Sequence, residues 1–169
     1  MSTSTVFPIE LTAAATALLE CCKARGLRMV TAESCTGGLL AAVLTEISGS
    51  SAVVDRGYVT YSNTAKIECL GVPATLLENH GAVSREVAEA MTTGALARAR
   101  VDLAAAITGI AGPTGGTPQK PVGLVHIAVH RKGHLTRHRE CRFGDIGRTA
   151  IRLATVAEAL AMLHKCAEH

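Results

Sequence analysis

Ser34 is followed by Cys35, Thr36, Gly37 and Gly38, between a short apolar run and an apolar helical pattern. A strand that feeds directly into a helix leaves unpaired N–H groups at the helix start, where the positive end of the dipole favours negative charge. A hydroxyl or thiol at such a junction has oxyanion donors among its sequence neighbours, the amides of Thr36 to Gly38, which is what an acyl-transfer nucleophile needs. Gly37 and Gly38 let a ligand approach the backbone closely. The stretch Ala32 to Thr36 does not spell a G-x-S-x-G nucleophile turn, and Ser34 or Thr36 can equally serve as a plain helix cap. Cys35 competes for the nucleophile role, since a thiol at a helix N-terminus can ionise more readily. Alternation along the strand end points Ser34 and Cys35 in different directions, so one of them faces the site, and the sequence does not say which.

A hydroxyl nucleophile needs a base, and no His and Asp stand at a spacing that supports a Ser-His-Asp triad. Lys66 is the alternative. In Tyr61-Ser62-Asn63-Thr64-Ala65-Lys66 it lies three residues beyond a candidate cap, Asn63, with Tyr61 at the preceding strand end. To accept a proton its pKa must fall from about 10.4 toward neutrality by burial; without that it is a solvated helix lysine. The loop Gly109 to Pro118 follows a buried-looking strand and, with Thr108, Gly109 and Gly112, offers backbone N–H groups to an anion. It lacks both the Gly-Lys-Ser/Thr ending of a P-loop and the G-x-G-x-x-G spacing, so neither assignment is supported. Arg137, Arg139, Arg142 and Arg148 form a solvated basic surface unless one or two face a cleft, where they suit a phosphate.

His126, His130, His134 and His138 recur every four residues. If a two-residue turn at Lys132-Gly133 closes a hairpin, Arg131 pairs with His134 and Ile127 with His138, and the histidines fall as two pairs on opposite faces, unable to share an ion. A three-residue turn pairing His130 with His134 places all four on one face; such turns are less common. The expectation is no metal.

These residues must be positioned by alternating elements. The spacing predicts helices over 9–25, 39–47, a segment containing Lys66 and ending at Gly71, a short turn from Pro73 to His80, about 85–100 and 147–165. It predicts strands over 27–32, 52–62 with a bend at Gly57, 101–110, 122–130 and 134–143. Helices and strands that alternate before a hairpin imply an α/β domain, a mixed sheet covered by helices on both faces. Hydrophobic residues are 48% of the 169, enough for a sizeable core and against a disordered chain. With two Tyr, two Phe and no Trp, that core is aliphatic, and no row of stacking rings exists for single-stranded nucleic acid. A net charge of +3 permits a small anionic substrate without predicting a polyanion. Six cysteines without a CxxC pair read as reduced thiols. Met1 to Pro8 lacks a basic start followed by an apolar run, and no span approaches the length needed to cross a bilayer; a cytoplasmic protein without a membrane partner is expected.

Thr31 to Gly38, Tyr61-Ser62-Asn63 with Lys66, Leu70-Gly71-Val72-Pro73, His80 to Ser84 and Thr108 to Pro113 together resemble the CinA C-terminal domain family. So do Gly115 to Pro118 and Lys120 to Gly123, and the resemblance spans about 9–165 within a single domain taken as 1–169. It implies a three-layer α/β/α fold. It also implies an amidohydrolase that converts nicotinamide mononucleotide to nicotinate mononucleotide and ammonia in pyridine nucleotide recycling, with no metal or other cofactor. The family's Ser and Lys fall on Ser34 and Lys66 and its Tyr on Tyr61. Thr36, Gly37, Gly38, Asn63, Thr108, Gly109, Gly112, Arg142 and Arg148 are then the expected substrate contacts. Two departures stand out: Thr114 replaces a common Gly, and two extra residues precede Arg148 after Gly144-Asp145. A non-catalytic nucleotide-binding module of the same fold is the competing expectation, and a homo-oligomer is left open.

Overall fold

The computed structural model describes residues 6–169; Met1 to Thr5, part of the segment read above for a leader, lie outside the described residues. Helix α1, Ile9–Arg25, starts after Pro8 and stops at Gly26, whose φ of 64° takes the left-handed turn that closes a helix. It buries Leu11, Ala15, Leu18, Leu19 and Cys22. Strand β1, Met29–Glu33, is buried at all five positions, as a central strand covered on both faces must be. Then follow α2 (Leu39–Thr45), β2 (Val54–Val59), α3 (Asn63–Leu70), α4 (Ala74–His80), α5 (Arg85–Ala99), β3 (Leu103–Gly109), β4 (Leu124–Arg131), β5 (Arg137–Arg142) and α6 (Arg148–Glu168).

The sheet order is β2-β1-β3-β4-β5. β1 runs parallel to both β2 and β3, whereas β4 is antiparallel to β3 and to β5, so the sheet is mixed as expected. Side-chain alternation divides the strands between two cores. Met29, Leu103, Ala105 and Ile107 join Leu18, Leu40, Ile151 and Leu160 beneath α1, α2 and α6. Val30, Ala32, Ala104 and Ala106 join Leu70, Val87 and Met91 beneath α3 and α5. The chain leaves β1 for β2 on one side and later inserts β3 on the other. The C-terminal ends of these three strands therefore open a crevice at a topological switch point, the usual ligand position in such sheets.

Three local expectations are corrected. The cap of α3 is Ser62, whose Oγ accepts the Ala65 N–H at 3.0 Å, and Asn63 is the first helical residue. β2 spans only Val54–Val59; its irregularity lies where Met29 faces Val54 but Val30 faces Arg56, leaving Asp55 as the extra residue. Gly57 is there for space, because a Cβ on it would meet Thr31 Oγ1 at 2.8 Å and Ala41 Cβ at 3.1 Å.

The hairpin takes neither expected register. Ala128 faces His138 and His126 faces Glu140, one residue away from the two-residue-turn pairing, and a one-residue slip exchanges faces. The cause is the connection: Arg131 O accepts the His134 N–H at 2.9 Å with Gly133 at φ 83°, and β5 begins only at Arg137. His126 and His138 consequently meet on one face, rings stacked at 5.2 Å, with Nδ1 and Nε2 2.9 Å apart. His130 Nδ1 is 2.6 Å from Thr136 Oγ1 instead. Among the described residues no group of three or more His, Cys, Asp or Glu is arranged to hold a metal ion.

Candidate active site

The crevice at the ends of β1, β2 and β3 is a cleft of about 270 Å³, lined by Ser34, Cys35, Tyr61, Asn63, Lys66, Thr108, Gly109 and Gly112 together with Thr114 and Arg148, among others. With Ala82 and Val83 included, residues from five separate stretches of chain converge on one hollow. Ser34 follows β1 directly, its N–H donating to Ile107 O on β3 at 2.9 Å. Lys66 sits on the first turns of α3 and reaches back under β2. Its Nζ is 3.0 Å from Ser34 Oγ and donates to Thr60 O at 2.8 Å.

Lys66 is only 1% exposed. Burial holds its pKa below the ordinary lysine value of 10.5, with Cys35 acting in the other direction. A buried lysine without a carboxylate partner is costly to keep charged, which moves it toward the neutral amine that can accept a proton. Cys35 follows the opposite logic: it is 5% exposed within the core under α6, and burial pushes its thiol up to about 12. Both residues border the cleft, but Lys66 pairs with the hydroxyl of Ser34, and the Cys35 thiol stays protonated at neutral pH. The sequence left open which of the two faces the site; in the structure both border the cleft, and the amine lies on the Ser34 hydroxyl.

The turn after Ser34 is braced by two residues that the sequence reading passed over. Glu33 is fully buried, and its carboxyl oxygens accept Thr36 Oγ1 at 2.7 Å, Leu40 N–H at 2.9 Å and Ala41 N–H at 3.1 Å. It satisfies the first amides of α2 from the strand side, as an acid near a helix N-terminus does. An acid directly before a predicted helix start was the available signal. Arg152 on α6 donates from Nε to Cys35 O at 3.0 Å and from Nη2 to Thr36 O at 3.1 Å. No local pattern announces that contact, which joins residues more than a hundred positions apart.

Thr36, Gly37 and Gly38 lie beside the cleft and do not border it. Thr36 is fully buried, the Gly37 N–H is committed to Ser34 O at 2.9 Å, and the two glycines adopt φ of 56° and 98°. Their conformation, which L side chains rarely adopt, is what the turn requires of them. Thr108 donates to Ala82 O at 2.7 Å and ties β3 to the loop after α4. Arg148 reaches the mouth despite the extra residues before it: Nη1 donates to Gly112 O at 2.8 Å and Nη2 to Tyr61 OH at 2.9 Å. Arg142 is elsewhere. It pairs with Glu140 at 2.6 Å and borders a neighbouring cleft with His80, Arg85, Glu86, Lys120 and His126.

A hydroxyl at a strand-to-helix turn and a buried amine on it thus sit at the switch point of a mixed α/β sheet. The model of the CinA C-terminal domain matches residues 11–167, and the chain belongs to that family. It is 51% identical over 142 residues to the nicotinamide-nucleotide amidohydrolase PncC of Escherichia coli K12, covering 83% of this chain and 85% of that protein. It is 52% identical over 140 residues to a CinA-like protein of Anaeromyxobacter sp. Fw109-5, of which it spans about a third. The crystal structure of the competence/damage inducible protein CihA of Agrobacterium tumefaciens superposes with a TM-score of 0.95 at 52% identity, over 98% of this chain and all of that one. No helix among the described residues is long and apolar enough to cross a membrane.

Proposed function

We propose that this chain is a nicotinamide-nucleotide amidohydrolase that uses Ser34 as nucleophile and Lys66 as base. The observation that carries the reading is the 3.0 Å contact between Lys66 Nζ and Ser34 Oγ at the floor of the cleft, with the lysine 1% exposed. The neutral amine takes the Ser34 proton as Oγ bonds to the carboxamide carbon, and the carbonyl π electrons move to oxygen. The oxyanion collapses, the C–N bond breaks, and the ammonium of Lys66 returns its proton to the departing nitrogen as ammonia. Water then adds to the ester with Lys66 again accepting a proton; the Ser34 Oγ–C bond breaks as Lys66 returns that proton to Oγ, restoring the hydroxyl and the neutral amine, and the released acid ionises to the carboxylate in solvent. Thr60 O keeps the amine aimed at Ser34 through both halves.

The substrate assignment draws on the Escherichia coli relative, whose name states its reaction. The cleft suits a mononucleotide: the carboxamide enters toward Ser34, and the phosphate lies at the mouth near Arg148, Tyr61 and the backbone of Thr114 and Gly115. Purified protein incubated with nicotinamide mononucleotide is expected to release ammonia and nicotinate mononucleotide in equal amounts. Binding of the nucleotide without ammonia release would leave a non-catalytic module of the same fold.

A further inference from the structure

We propose that the outward face of α5 is a docking surface for a second copy of this chain, the two α5 helices packing antiparallel about a twofold axis at Thr93. α5 lies over the sheet with Val87, Met91 and Ala95 in the core, and it turns Glu86, Thr93, Ala97 and its cap Arg100 to solvent. At 3.6 residues per turn, Glu86, Thr93 and Arg100 fall on one line along the helix, with Ala90 and Ala97 beside it. Two apolar hollows flank that line, and Thr93 and Ala97 border both. One, of about 430 Å³, lies against Leu70, Pro73 and Leu76; the other, of about 490 Å³, lies against Leu96 and Val101. The first is firmly framed: Arg98 Nη1 donates to Leu70 O at 3.0 Å, and a Cβ on Gly94 would meet that oxygen at 1.8 Å, so the end of α3 sits directly on α5.

The occupant follows from the order of charges on this line. Glu86 stands seven positions before Thr93 and Arg100 seven after it. A copy running antiparallel therefore brings its Arg100 to Glu86 and its Glu86 to Arg100, whereas a parallel copy would set like charges together. Thr93 then meets its own counterpart, its hydroxyl already spent on Glu89 O at 3.1 Å, and Ala90 faces Ala97 of the second copy, which lets the helix axes approach closely. Arg100 supplies a second argument. It is the one non-glycine residue at positive φ among the described residues, at 55°, in the left-handed position after a helix that glycine fills most easily. Its guanidinium is exposed and forms no ion pair among the described residues, while Arg85 is spent on Glu89 and Arg98 on Leu70 O. Glu86 at the other end is 44% exposed, with His80 Nδ1 3.7 Å away. An arginine kept where glycine fits best, and left unpaired within its own chain, matches a carboxylate that arrives with the second copy.

Sedimentation equilibrium of the purified full chain should show a dimer with a Kd below about 100 μM. Thr93→Arg, which sets like charges on the axis, and each of Glu86→Arg and Arg100→Glu should weaken it ~10-fold or more, with thermal midpoints measured on the same samples. The two charge reversals are then mixed. Each repels its own copy, but one paired antiparallel with the other regains both ion pairs, so native mass spectrometry should show a one-to-one heterodimer in excess of either homodimer. A wild type that stays monomeric at about 100 μM would overturn the proposal and leave this face to a different protein. A dimer that Thr93→Arg leaves intact would place the contact on another surface, and folded reversals that fail to pair in the mixture would contradict the antiparallel register. Thr93 is exposed, so its replacement decides the matter even where a reversal unfolds the chain.

Discussion

Two clefts lie side by side in this protein, both touched by Val83, and they handle charge in opposite ways. In the Ser34 cleft one amine is buried without a carboxylate, and its two hydrogen bonds go to a hydroxyl and a carbonyl. In the neighbouring cleft, of about 340 Å³, charges meet charges. Arg142 pairs with Glu140 at 2.6 Å, His80 stands 3.7 Å from Glu86, and Lys120 donates to His80 O at 2.5 Å. Exposed pairs of that kind satisfy one another and contribute little. An isolated buried amine is a cost to the fold, retained where it performs chemistry. On the function proposed above, reactivity follows the group left without a counter-charge, not the number of charges nearby.

The largest expected effect breaks the first cleft. Ser34→Ala should lower deamidation ~10³-fold or more with the fold retained, and Cys35→Ala should keep most of the activity, both read as kcat from ammonia release. The opposite ranking would make the thiol the nucleophile. Next, Lys66→Met should cost ~10²-fold or more in kcat and yet raise the thermal midpoint at neutral pH, since it replaces a desolvated amine by an apolar chain of similar size. The sign follows from linkage: the folded state holds the Lys66 proton less tightly than the unfolded state. Stability therefore rises with pH between the lowered folded value and 10.5, and the variant lacks that slope. A midpoint that falls in Lys66→Met would show the lysine to be a structural asset.

A smaller effect separates the arginines of the two clefts. Arg148→Ala should lower kcat/KM for nicotinamide mononucleotide about ten- to a hundredfold, leaving the riboside less affected, because one charge-assisted phosphate contact is worth that much. Arg142→Ala should matter less, its partner being Glu140. Equal efficiency of wild type on mononucleotide and riboside would mean that the phosphate points to solvent. The smallest effect belongs to the second region. Burial and the neighbouring His138 hold His126 below the ordinary histidine value of 6.5, and burial and Arg85 do the same for His138. Stability from this pair is present above 6.5 and lost as pH falls through the lowered folded values, so acid should reduce the thermal midpoint by about 2–5 °C. His138→Phe should flatten that slope in a calorimetric pH series.

The sequence disclosed what depends on local pattern. The α/β alternation, the end of α1 at Gly26, the Ser84 cap of α5 and the strand-to-helix junction at Ser34 are all set by neighbouring residues. Lys66 was legible as a candidate because no triad was available and because the family's Lys falls on it; its burial against Ser34 and Thr60 arises only from the folded chain. The hairpin register was misjudged because turn length, which fixes it, is not set by Lys132-Gly133 alone. Arg152 was invisible for a different reason: its partners are backbone carbonyls, which carry no residue signature, on an element more than a hundred positions earlier.

The central claim is that Lys66 works as a neutral base on Ser34, and the pH dependence of kcat/KM for nicotinamide mononucleotide tests it most directly. Ammonia release followed between about pH 6 and pH 10 should rise along a single limb with its midpoint below 10.5, the limb reporting loss of the Lys66 proton in the free enzyme. A rate that is flat across that range, or that falls as pH rises, would contradict the account, because the group acting on Ser34 would then have no proton to lose.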